Sequence, residues 1–209
     1  MLIDHLVYAV PDLRAAVADV EERLGVRAHD GGRHTGLGTH NALLALGPAT
    51  YLEIIAADPG QPEPARPRPF GIDGITRSEL AGWALACEDI DATVIRARRH
   101  GYDPGEATDG QRTGPTGTAL HWRMTSSAAA DGLVPFLISW GDTEHPASSA
   151  PGGLTLEAFH LEHPDPASVA AKLAALGADV LGAGVEIRPA ASAALAARLR
   201  GPTGSVVLR

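Results

Sequence analysis

The chain has 209 residues, 44% of them hydrophobic and 20% charged, with a formal charge of −8. That composition suits a globular protein with room for one sizeable core or two small ones. The acidic balance speaks against nucleic acid as a partner, because a polyanion would be repelled. No apolar run approaches the ~18 residues of a membrane span, and MLIDHLVYAVPDL lacks the basic start of a signal peptide. The expected location is therefore cytoplasmic, with no membrane partner. A lone Cys87 excludes an internal disulfide framework and a cysteine-based zinc cluster.

Residues 2–10, LIDHLVYAV, read as a strand, and PDLRAAVADVEERLG reads as the helix after it. Leu13, Val17, Val20 and Leu24 recur at helical spacing, Asp12 is a natural N-cap, and Gly25 suits the left-handed position after the last turn. Three more strands are expected near 26–33, 40–46 and 50–57, separated by Gly-rich and Gly-Pro turns. PGQPEPARPRPFGI, residues 59–72, has five prolines and no apolar period, which marks a connection.

The pattern then restarts. WALACEDI reads as a strand, DATVIRARRHG as a helix stopped by Gly101, and three strands are expected near 106–112, 119–127 and 133–141. A third, shorter restart begins at LTLEAFHLEHPDPASVAAKLAALGADV, residues 154–180, and VEIRPA and GSVVLR close the chain as strands. A repeat of this kind implies units that bury a shared surface. The expected fold is α+β: paired βαβββ modules forming a cleft, with a partial third βα-type module at the C-terminus. The spans are 1–58 for the first module, 59–82 for the Pro-rich connection, 83–146 for the second module and 154–209 for the third.

In TYLEIIA, residues 50–56, Glu53 stands between Leu52 and Ile54 in an apolar strand. Burying an unpaired carboxylate costs several kcal/mol or more unless a partner, a hydrogen bond or a metal compensates it. Asn41 and Arg123 are candidate hydrogen-bond donors to it. GRHTGLGTHN places His34, His40 and Asn41 beside glycines that permit sharp turns and close approach to a ligand. If the Gly-Pro turn pairs Leu46 with Tyr51, His40 shares the sheet face of Glu53 at roughly 13 Å along the strand. His121, Trp122 and Arg123 alternate faces along one strand, so Trp122 serves one face, and His121 and Arg123 the other.

DHLVYAVPDL, GGRHTGLGTHNALLALG, YLEIIA, GWALACEDID and PFLISWG followed by His145-Pro146 together resemble the vicinal oxygen chelate superfamily, the glyoxalase, bleomycin-resistance and dioxygenase group. Among its members the likeness is to glyoxalase-like domain proteins. The resemblance implies two curved sheets around a cleft that holds a divalent metal such as zinc, nickel, iron or manganese. It makes His5 and Glu53 metal ligands, on neighbouring first and fourth strands about 4.8 Å apart. Laid on the first module, the second puts Trp83 opposite His5, and Ile138 or Ser139 opposite Glu53, so it offers neither expected ligand. A third ligand must then come from His34, His40, His121 or His145, since a catalytic centre takes about three.

The function implied by the resemblance is that of a metal-dependent lyase, isomerase or dioxygenase acting on a small oxygen-bearing substrate. Glu53 and His40 are its acid-base candidates, and His34, Asn41, His121, Arg123, Trp140 and His145 its substrate contacts. The alternative is a metal-free protein that sequesters a small molecule, as the drug-resistance members do. A homodimer is compatible with either.

Overall fold

The computed structural model describes residues 1–114, 117, 119–126, 132–177 and 184–209. The first module runs β1 (Ile3–Ala9), α1 (Leu13–Leu24), β2 (His29–His34), β3 (Thr39–Gly47) and β4 (Thr50–Ala57). The second runs β5 (Glu79–Ala86), α2 (Ile90–Arg99), β6 (Thr108–Thr113), β7 (Ala119–Met124) and β8 (Phe136–Ser139). The β5 strand starts ahead of Trp83, inside the stretch read as connection. Ser127 at the end of the expected 119–127 strand and residues 178–180 of the third restart lie outside the described residues.

The helices end where the local chemistry stops them. Asp12, Asp89 and Asp165 each cap a helix N-terminus by accepting a backbone N–H three residues on, worth about 1 kcal/mol each. Gly25 adopts φ 78°, the left-handed conformation that ends α1. The buried residues of α1 are Leu13, Ala16, Val17, Val20 and Leu24, the stripe read from the sequence.

The eight strands of the two modules close a barrel in the order β1-β4-β3-β2-β6-β7-β8-β5. Within each module the first strand lies parallel to the fourth, β1 on β4 and β5 on β8. The modules meet along two seams of unequal strength. At one, β1 and β5 pair antiparallel from Ile3 opposite Leu85 to Ala9 opposite Glu79; at the other, β2 and β6 are joined by the pairing of Arg33 with Thr113.

Alternation along the strands gives the barrel an outer face and an inner one. Leu6, Tyr8, Leu44, Leu52, Ile54 and Leu85 turn outward into the main hydrophobic core with the helices. Val7, Ala9, Ile55, Ala84, Trp122, Phe136 and Ile138 turn inward. Trp83 belongs to the outer set: it is fully buried, stacks edge-on against Phe159 at 5.2 Å and donates its indole N–H to Leu133 O. The inner residue opposite His5 is therefore Ala84, not Trp83.

Phe159 belongs to a separate four-stranded sheet that covers this outer face. It comprises β9 (Thr155–His163), β10 (Val185–Pro189), β11 (Ala194–Gly201) and β12 (Gly204–Leu208) in the order β10-β9-β11-β12, with α3 (Pro166–Ala175) between β9 and β10. The element order repeats βαβββ, but the strand order does not. Here β10 lies parallel and directly beside β9, while β11 takes the other flank of β9.

Candidate functional site

Inside the barrel, toward the first module, lies a cavity of about 80 Å³ lined by His5, His34, Asn41, Glu53, Arg112 and a largely aromatic wall. Tyr51, Phe70, Trp122, Phe136 and Trp140 make that wall. Among the described residues no helix is long and apolar enough to cross a membrane.

His5 is placed by a bulge. Between Ile3 and His5 the register against β5 shifts by a residue, and a bulge of this kind turns two consecutive side chains to one side of the sheet. Ile3 therefore faces the outer core, whereas Asp4 and His5 are neighbours that hydrogen-bond, His5 Nδ1 to Asp4 Oδ1 at 2.7 Å. Asp4 is fully buried, and its other oxygen accepts the Trp140 indole N–H at 3.0 Å and meets His145 Nε2 at 3.2 Å. Because the Ala147 N–H donates to His145 Nδ1, it is Nε2 of that ring that carries the proton to Asp4. Burial alone would raise the pKa of Asp4, but the hydrogen bonds from His145 and His5 outweigh it and hold Asp4 at about 2.

An acceptor-only carboxylate on Nδ1 fixes the His5 tautomer. Nε2 then presents its lone pair to the cavity, 3.8 Å from Glu53 Oε2. The ring is held by stacking on Tyr51, centroids 4.6 Å apart, and by the edge of Phe136 at 5.3 Å. Burial and the nearby charges of Asp4 and Glu53 push the Tyr51 hydroxyl well above its usual range.

Glu53 faces the cavity opposite Leu43 of β3. Its Oε1 accepts the Asn41 side-chain N–H at 2.5 Å, and Asn41 Oδ1 in turn accepts from Arg112 Nη1 at 3.2 Å. The approach of Asn41 to Arg112 needs Gly31, because any Cβ there would overlap both side chains. His34 Nε2 lies 3.8 Å from Glu53 Oε1, and its Nδ1 is held by the Thr39 hydroxyl at 2.9 Å. Burial holds the pKa of His34 below its usual value, although the charge of Glu53 opposes the shift.

The structure thus brings His5, His34, Asn41, Glu53 and Trp140 to one cavity, with His145 behind Asp4. It does not bring His40, His121 or Arg123. Leu43, not Leu44, stands opposite Glu53, because the β3–β4 register shifts between Ala45 and Gly47. A shift of one residue reverses every side chain, so Asn41 faces inward and His40 outward. His121 is exposed on β7, and Arg123 forks onto Asp91 of α2 at 2.6 and 3.1 Å on the outside of the barrel. Asp4, Tyr51, Arg112 and Phe136 were not legible as site residues. In a regular strand Asp4 and His5 would point apart, and only the bulge joins them.

His5, His34 and Glu53 are the donors that the cavity brings side by side. Both imidazole Nε2 atoms flank Glu53, each at a different oxygen, and the inner strands of the second module add Ala84, Phe136 and Ile138. Among the described residues no group of three or more His, Cys, Asp or Glu side chains is arranged to hold an ion.

A family model described as glyoxalase-like domain matches residues 3–177. The chain belongs to the glyoxalase-like domain family. No curated protein matches this glyoxalase-like domain. Among solved structures, a hypothetical protein from Staphylococcus aureus is similar with a TM-score of 0.68 at 13% identity, covering 92% of this chain and 87% of that one. Methylmalonyl-CoA epimerase from Mycobacterium tuberculosis gives a TM-score of 0.45 at 20% identity over 70% of this chain and 91% of the epimerase. A point variant of Streptomyces coelicolor methylmalonyl-CoA epimerase, in complex with 2-nitronate-propionyl-CoA, gives 0.46 at 20% identity, over 69% and 97%.

Proposed function

We propose that this glyoxalase-like domain is a proton-transfer enzyme, an isomerase or lyase acting on a small oxygen-bearing substrate in the barrel cavity. The observation that carries the reading is the line Asp4–His5–Glu53. A buried carboxylate fixes one imidazole nitrogen, and the other presents its lone pair to a second carboxylate 3.8 Å away. Both groups line the same cavity, so a carbon acid lying beside the pair meets two groups able to take and return a proton. His5 Nε2 removes a proton from a carbon beside a carbonyl, Asp4 stabilises the imidazolium that forms, and the same proton returns to the substrate from His5 or, passed to Glu53 beside it, at a neighbouring atom. His34 and Asn41 position Glu53. The apolar wall excludes water and strengthens each of these interactions.

No step is routed through a metal: the donors are His5, His34 and Glu53, the two imidazoles lie at different oxygens of Glu53, and among the described residues no such group is arranged to hold an ion. The test is incorporation of solvent deuterium into a panel of small aldehydes, ketones and hydroxy-carbonyl compounds, with turnover followed in parallel. Glu53→Gln and His5→Ala are each expected to lower the rate by about 10²–10⁴, the usual share of general acid-base catalysis. Exchange unchanged in either variant removes that residue from the chemistry.

A second reading, sequestration of a small molecule, is favoured by the apolar contribution of the second module, Ala84, Phe136 and Ile138. Tight binding of a compound that undergoes neither exchange nor turnover in the unmodified chain is its signature.

A further inference from the structure

Taking the cavity as the reacting site, we propose that its ligand is a small carboxylate and that Arg112 is the residue that holds it. Arg112 reaches the cavity from β6 of the second module and is 5% exposed. A guanidinium carries five N–H donors and a charge that it does not shed. Yet no Asp or Glu among the described residues comes within the 4.0 Å of an ion pair with it. Its one hydrogen bond among those residues goes to a neutral acceptor, Asn41 Oδ1. A buried cation without an anion within ion-pair reach is costly, whereas Arg68 pairs with Asp73 and Glu63, and Arg123 with Asp91.

The neighbouring residue on the same wall is Trp122, whose ring packs over Gly110. Trp122 Nε1 is buried without a hydrogen-bond partner. In the β6–β7 register Arg112 stands opposite Leu120 and Gly110 opposite Trp122, so Arg112 and Trp122 are diagonal neighbours on one face. Carboxylate is the group whose geometry matches the guanidinium fork. The volume of about 80 Å³ limits the rest of the ligand to a few heavy atoms, and Ile55, Met124, Phe136 and Ile138 make that remainder apolar. Arg112 thus sets the substrate class and orients the adjacent carbon toward His5 and Glu53.

Isothermal titration with 2-oxobutanoate and with its neutral amide, on the unmodified chain, Arg112→Gln, Arg112→Lys and Glu53→Gln, tests this. The acid is expected to bind at least about tenfold more tightly than the amide, as suits a hydrogen bond to a charged group. Arg112→Gln should remove that preference, Arg112→Lys should restore it in part, and Glu53→Gln should keep it. Equal affinity for acid and amide, no binding of the acid, or an unchanged preference in Arg112→Gln overturns the proposal. If the Arg112 variants fail to fold, the acid and amide compared on the unmodified chain decide alone. Acid binding without deuterium exchange would instead count against proton transfer and leave the carboxylate site standing.

Discussion

At the scale of single residues, the site depends on which atoms hold protons. Asp4→Asn puts an amide where an obligate acceptor stood, so the His5 tautomer is no longer fixed; turnover should fall by at least about 10² while the fold persists. Asn41→Ala leaves Glu53 and Arg112 without their shared amide and should cost about 1–3 kcal/mol in denaturant unfolding. His34 gives a pH dependence whose sign can be worked out. Its folded pKa lies below the unfolded value, so the unfolded chain binds the extra proton first. Stability is therefore fully present above about pH 6.5 and declines as pH falls below it. His34→Asn should make that decline shallower in unfolding curves measured from pH 7.5 to 5. The carboxylate Asp4 works at a lower window. Held at about 2, it adds stability above its unfolded pKa that is lost as pH falls from about 4 to 2.

At the scale of elements, most strands and both barrel helices were legible, because caps, glycines and apolar periods agree with one another along residues 1–58. What escaped were departures from regular pairing. The bulge at Asp4 and the register shift before Gly47 are each a matter of one residue, and sequence periodicity does not carry them. They explain why Asp4 was missed and why Asn41 takes the place expected for His40. The strand β11, ALAARLRG, was missed for a different reason. Its alanine, leucine and arginine favour a helix, but it is the inner strand between β9 and β12, and burial of Leu195, Ala197 and Leu199 decides. Arg112 gave no signal, since a buried arginine and an exposed one look alike in a strand. The two seams give the element-scale prediction. Amide hydrogens of β2 and β6, joined by the pairing of Arg33 with Thr113, should exchange faster than those of β1 and β5. Equal protection at both seams would contradict the pairing described.

At the scale of the molecule, two modules of similar topology contribute unequal chemistry. The first supplies Asp4, His5, His34, Asn41 and Glu53; the second supplies apolar wall and Arg112. The third sheet stands outside the barrel and has a packing role, with Phe159 against Trp83 where the outer surface of β5 would otherwise meet water. Trp83→Ala or Phe159→Ala should each cost about 3–5 kcal/mol, with both barrel and sheet lost in one transition. The central claim is that His5 Nε2 is a free proton acceptor facing Glu53, and the most direct measurement is the imidazole ¹⁵N spectrum of the purified chain, with and without a strong chelator. The expected result is His5 protonated at Nδ1 with an unprotonated, uncoordinated Nε2, unchanged by the chelator. A His5 protonated at Nε2, or an Nε2 resonance that shifts when the chelator strips an ion, would contradict it.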